Sequence, residues 1–143
     1  MTVLTQAQGT KTLAITLGTL ASGAYIASAT IDLSAAIPLE LSVEAECIPN
    51  ATPTGNQQLV VFMETSLDGT NFTGPPTRNT ASDGQETLVG VLPTVATATR
   101  ATKGFTTAGA QVARFIRFVA KNDMGVALTS GTVNYAAITG VST

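Results

Sequence analysis

The chain has no histidine, no tryptophan and one cysteine, and charged residues make up only 11% of its 143 positions. Without imidazole the commonest general base is missing. Asp68, Asp83 and Asp123 stand beside glycine or in turn-like contexts, where Asp is favoured because its carboxylate bonds nearby backbone amides. No enzyme activity, cofactor or metal site is therefore expected. Cys47 has no second cysteine to pair with, and it falls in an alternating apolar pattern, so it reads as a small buried hydrophobe. Sugar platforms lean on exposed aromatics, above all Trp, and Tyr25 and Tyr135 both lie on strand-like apolar faces where core is the expected place. Gly69 and Gly74 precede no Lys-Ser/Thr pair, which excludes a phosphate loop. No apolar run approaches the roughly 20 residues that span a bilayer, and Met1-Thr2-Val3-Leu4 does not resemble a secretion signal, so synthesis in the cytoplasm and no membrane partner are expected. The seven Lys and Arg are scattered, which argues against nucleic acid.

What remains is rich in Thr, Ser, Ala and Gly, with hydrophobic residues at 44% and a net charge of only -2. Such a surface is solvated by hydroxyls and amides, and it offers little electrostatic repulsion between copies. A homo-oligomer or a piece of an assembly is the expectation.

Period-two patterning runs through the chain, and no segment sustains a helical period. Residues 10–20 place Leu13, Ile15 and Leu17 on one face, and 24–33 place Tyr25, Ala27, Ala29, Ile31 and Leu33 together. The cleanest alternation sets Leu39, Leu41, Val43, Ala45 and Cys47 inward, with Glu40, Ser42, Glu44 and Glu46 outward. The loop 49–58 follows, then the apolar run 59–66, which ends at Leu67-Asp68-Gly69-Thr70-Asn71. Beyond Phe72 a long polar loop extends to Glu86. Segments 87–93, 101–107, 113–121 and 128–140 bring the count to about eight strands, spaced as in a sandwich. The fold expected is all-β: one antiparallel, jelly-roll-like β-sandwich over residues 10–143, preceded by an arm at 1–9.

Several residues stand out as candidate subunit contacts. In the run 59–66, Leu59, Val61 and Met63 share one face, while Val60 and Phe62 make the other apolar too, which points to a central strand under other protein or at a subunit contact. Thr2, Val3 and Leu4 belong to the arm, which in an assembly can lie across a neighbour. Arg117 and Lys121 share one face of their strand, as Glu40, Glu44 and Glu46 do of theirs. Were those strands neighbours, the charges would pair; otherwise the rows are complementary patches for identical subunits. The glutamate row reads as a solvated or cross-strand-paired face, because side chains two apart on a strand do not converge as Ca²⁺ ligands must.

Ser66 to Phe72 (SLDGTNF), after an apolar strand, and Arg114 to Asp123 (RFIRFVAKND), before the closing strand TVNYAAITG, resemble segments of small virion proteins of tailed bacteriophages. The resemblance covers roughly the second half of the chain. It implies a capsid decoration or cement protein, often a trimer, that sits on the outer surface of the phage head and joins major capsid protein subunits. A neck or tail component is the alternative within the same class. A glycan-binding module using loops Asn50 to Gln57 and Gly74 to Gly84 is the alternative outside it.

Overall fold

Segments that are apolar on one face every second residue need a second layer to cover that face. The computed structural model of the chain describes residues 4–74, 87–107 and 112–142, and these supply both layers. The strands among them are β1 (Leu4–Gln8), β2 (Thr12–Thr16), β3 (Tyr25–Ala27), β4 (Ile31–Asp32), β5 (Glu40–Pro49), β6 (Gln58–Ser66), β7 (Thr87–Pro93), β8 (Ala101–Thr106), β9 (Phe115–Asp123) and β10 (Leu128–Ser142). Sheet I has the order β1-β10-β5-β8, with β2 also on β10; sheet II has β3-β9-β6-β7, with β4 also on β9. Every described pairing is antiparallel. From β2 onward the chain crosses between sheets at each connection except β3–β4 and β6–β7, which gives jelly-roll winding.

The expected eight strands are present, and the ten segments arise in two ways. The second expected strand is divided into β3 and β4, and Leu4–Gln8 of the expected arm is itself a strand, paired with the end of β10. Thr2 and Val3 lie outside the described residues, as does most of the expected long loop.

Between the sheets sits one core. Leu41, Val43, Ala45 and Cys47 of β5 face Leu59, Val61 and Met63 of β6 and Ile116, Phe118 and Ala120 of β9, all buried. Cys47 takes the expected core place; burial raises its thiol pKa, and its Sγ lies 3.7 Å from Thr94 Oγ1. Tyr135 packs inward on Phe118 with ring centroids 5.8 Å apart. Tyr25, in contrast, is on the outer face of sheet II beneath Lys121, which corrects its expected core position.

Three further corrections concern side chains expected inward. Leu13 is 56% exposed because β2 bulges where Ile15 pairs with Val133 and Leu13 with Asn134, so alternation is lost at Ala14. Leu39, at 62% exposed, precedes the start of β5. Tyr25 and Ile31 do not share a face. Ala27 pairs with Val119 and Ile31 with Ile116, four residues against three, and in the gap the Phe118 amide donates to Ser28 Oγ at 3.0 Å. The slip turns Ile31 and Leu33 into the core with Ile26.

Two features close the flanks of the sandwich. At β7 a bulge falls between the pairs Val61–Gly90 and Phe62–Leu88, and the Phe105 ring of β8 lies on Gly90. Lys103 Nζ donates to Val91 O at 3.2 Å and ties the edge strands β8 and β7. A Cβ at Gly90 would stand 2.1 Å from Phe105 Cδ1. Gly90→Ala is expected to cost about 1–3 kcal/mol through overpacking. Denaturant unfolding checks this, with Gly90→Ala/Phe105→Leu expected to recover part of the loss. At one end of the sandwich the fully buried Asn122 saturates its amide, Nδ2 donating to Leu20 O and Val126 O at 2.9 and 2.8 Å while Oδ1 accepts from Met124 N at 3.1 Å.

Candidate interaction site

With its core filled, the molecule has two outer faces and two ends on which to meet other chains. The outer face of sheet I is mostly polar, with Leu13 the exposed exception in the rows described next. One row across it reads Thr16, Thr132, Glu46, Thr102; the next reads Leu13, Asn134, Glu44, Gly104. The glutamate row does lie here, and its cations come from loops: Lys11 pairs with Glu44 and Arg100 with Glu46. Glu40 stands opposite Ile138 at the foot of β10's final stretch. These pairs are exposed, and each contributes about 0.2–1 kcal/mol at most.

Sheet II presents the opposite character. Across its outer face runs the row Ala27, Val119, Phe62, Leu88, apolar on all four strands, and beside it the row Tyr25, Lys121, Val60, Val91. Val60 and Phe62 thus share a continuous apolar stripe. Val119 is fully buried, Val60 is 7% exposed and Phe62 partly covered, whereas Leu88 at the β7 edge is 56% exposed. Arg117 and Lys121 flank the stripe. Because β5 and β9 belong to different sheets, these cations lie on the far side of the molecule from the glutamate row. Arg117 Nε donates to Glu64 Oε2, on a carboxylate with no exposed surface, and its guanidinium lies 4.5 Å from the Phe72 ring centre. Burial lowers the Arg117 pKa from its ordinary value. Lys121 Nζ is 3.6 Å from Asp123, which also accepts from Asn56 at 2.6 Å.

The end of the sandwich where β4 passes to β5, and β6 to its following turn, gathers exposed aliphatics: Ile37 at 54%, Leu39 at 62% and Leu67 at 81%. Leu67 belongs to the SLDGTNF turn. Asp68 Oδ1 accepts from the Thr70 and Asn71 amides, both at 2.8 Å, and from Ser66 Oγ, and its Oδ2 accepts from Asn71 Nδ2. Gly69, at φ +76°, lets the turn sit against the Phe115 ring. These bonds to Asn71, Thr70 and Ser66 hold the Asp68 pKa far below the ordinary carboxylate value, so its role is that of a turn organiser. A depressed folded-state pKa gives stability that is present above the unfolded value near 3.9 and is lost as pH falls below it. Asp68→Ala is therefore expected to be destabilising at pH 7, with a deficit that narrows between about pH 4 and 2. Urea midpoints of both proteins across that range test the prediction; a constant deficit would refute it.

From this same end projects a ribbon. Pairing of β5 with β10 ends at Glu40–Ile138, whereas β1 pairs with β10 from Gln8–Ile138 to Leu4–Ser142. Among the described residues, 139–142 pair with β1 alone.

The winding has a solved counterpart. The chain is similar in structure to the vertex protein P5 of PRD1, with a TM-score of 0.50 and 15% identity over 91% of this chain and 73% of that one. At that identity the likeness establishes the fold. FlhE (TM-score 0.33, 19% identity, 97% of this chain and 96% of that one) and the infectious bursal disease virus Gx strain structure (TM-score 0.26, 17% identity, 99% and 32%) are more distant and carry no argument here. No family model matches the chain, and no curated protein matches it in sequence.

Of the residues singled out from sequence, the structure brings Leu4 and Glu40 to the ribbon end and Val60, Phe62, Arg117 and Lys121 to one face. Glu44 and Glu46 are on the other. Loop 50–57 spends its polar groups internally: Thr52 meets Thr97, Asn56 donates to Asp123, and Gln57 donates to Pro53 O at 3.0 Å. Sequence reasoning did not single out Glu64 or Ile37. Glu64 had a visible signal, a lone acid inside an apolar strand that must meet a cation.

Proposed function

We propose that the chain is a structural protein of a tailed-bacteriophage virion: a decoration or cement protein, homotrimeric, that binds the outside of the head and stabilises contacts between major capsid subunits. The observation that carries the reading is the asymmetry of the jelly roll. Exposed Ile37, Leu39 and Leu67 gather at one end, whereas Val60 and Val119 of the stripe across sheet II are already covered within the chain and the outer face of sheet I is mostly hydroxyl-rich, Leu13 apart. Exposed aliphatics grouped at one end are what a docking surface needs. The fold shared with a vertex protein and the two sequence segments resembling phage virion proteins agree with it. The internal bonding of loop 50–57 disfavours that loop as a glycan site, while the other loop of that alternative, Gly74 to Gly84, lies beyond Gly74 outside the described residues.

Purified particles provide the test. Removing the protein is expected to lower the temperature at which heads release DNA, and re-adding it to restore that temperature. A cement protein is present in hundreds of copies per particle, whereas about a dozen would assign it to the neck or tail instead. The free protein is expected at three times its 14.5 kDa chain mass by light scattering. Heads with unchanged heat stability after removal overturn the cement role.

A further inference from the structure

Each exposed flank of a sheet invites pairing with another chain unless something guards it. The edge strand β8 carries Lys103, whose ammonium caps Val91 O of β7, and β7 carries a bulge and ends at Pro93. Among the described residues the β1–β10 ribbon has no such guard. Leu4–Gln8 reads LTQAQ and 138–142 reads ITGVS, with no charge and no proline in either strand.

Thr5, Gln6, Ala7 and Gln8 are all exposed, and none of these four belongs to the core cluster. A two-stranded ribbon held by main-chain bonds is marginal in water by itself. The connection to β2 is irregular: from Gln8–Ile138 to Thr12–Tyr135 the chain advances four residues against three on β10, so Gly9, Thr10 and Lys11 hold a one-residue bulge. Opening at that bulge releases β1 without disturbing β2, whose Ile15 is in the core.

We propose that β1 is exchanged between copies of this chain, each copy's Leu4–Gln8 pairing with residues 138–142 of a neighbour. Exchange keeps the same register and the same hydrogen bonds, so the paired state loses nothing by changing its donor. The uncharged ribbon sets no like charges against each other. Approach of a second copy at this end also covers Ile37 and Leu39, which adjoin the foot of the ribbon through the Leu39 amide bond to Ile138 O at 2.9 Å. The inference stands apart from the virion reading, since it needs only that copies meet.

The test uses chain identity. Gly9 N donates to Ala137 O, so Gly9–Ala137 is a hydrogen-bonded pair and Gln6–Gly140 is a closer, non-bonded one, with geometry suited to a disulfide. In a Cys47→Ala background, full-length Gln6→Cys and Gly140→Cys proteins are co-refolded and oxidised. Exchange predicts a covalent dimer whose tryptic digest contains a disulfide joining the peptide around position 6 of one protein to the peptide around position 140 of the other. Absence of that heterodimer overturns the proposal, as does a Gln6→Cys/Gly140→Cys double variant that oxidises only within single chains and runs at monomer mass. Particle heat stability is untouched by either result, so the two readings fail separately.

Discussion

Arg117→Met is expected to lower stability by about 3–5 kcal/mol, the range for removing one partner of a buried ion pair. Methionine replaces the aliphatic stem of Arg117, so little packing is lost, but it removes a counter-charge from Glu64, a carboxylate with no exposed surface. It also removes the guanidinium stacked on Phe72. Arg117→Lys keeps a charge without the planar fork and is expected to fall between the two. Glu64→Gln/Arg117→Met is expected to recover much of the loss, because the group left behind is then neutral. Urea unfolding of the four proteins measures this directly. A loss under about 1 kcal/mol for Arg117→Met would mean that the pair behaves as an exposed one.

Phe118→Ala is expected to cost a similar amount, about 3–5 kcal/mol, by a different route. Phe118 is the largest fully buried side chain and the point at which β9 of one sheet meets Tyr135 of the other. Truncation leaves a cavity between layers that close packing on both sides prevents from collapsing. At this chain length the loss corresponds to a thermal midpoint lowered by roughly 10 °C or more. Phe118→Leu fills more of the space and is expected to cost less than half as much. If alanine is no worse than leucine, the layers relax inward, and the core is softer than its burial indicates.

These two positions differ in how visible they were beforehand. Alternation in ARFIRFVAK puts Phe118 and Arg117 on opposite faces, which the structure bears out, although with a Phe and a cation on each face the pattern leaves open which one is inward; the inward and outward sets of β5 hold apart from Leu39. Uninterrupted strands are legible because period two is a local property of the chain. Failures cluster where the ladder slips, at Ala14 and between Ala27 and Ile31. There the phase is set by the partner strand, and a bulge that turns Leu13 outward leaves no mark in its own neighbours. The same limit applies to the candidate site. The glutamate row was visible, but its partners Lys11 and Arg100 come from loops remote in sequence. Arg117 was visible as a charge on an apolar strand, yet its pairing with Glu64 required knowing that β9 lies beside β6 and not beside β5. Pairing of Leu4–Gln8 was illegible for a further reason: LTQAQ buries no side chain between Thr5 and Gln8, so no hydrophobic period announces it.

The hydroxyl-rich face of sheet I has a colloidal consequence. Thr16, Thr132 and Thr102 hold water through neutral dipoles, and Glu44 and Glu46 of the outward row are each matched by a cation. Salt screens charges and leaves hydroxyl hydration largely alone. A particle clad in this face would therefore keep much the same surface in dilute medium and in brine, and would neither gather counter-ions nor shed them as its surroundings change.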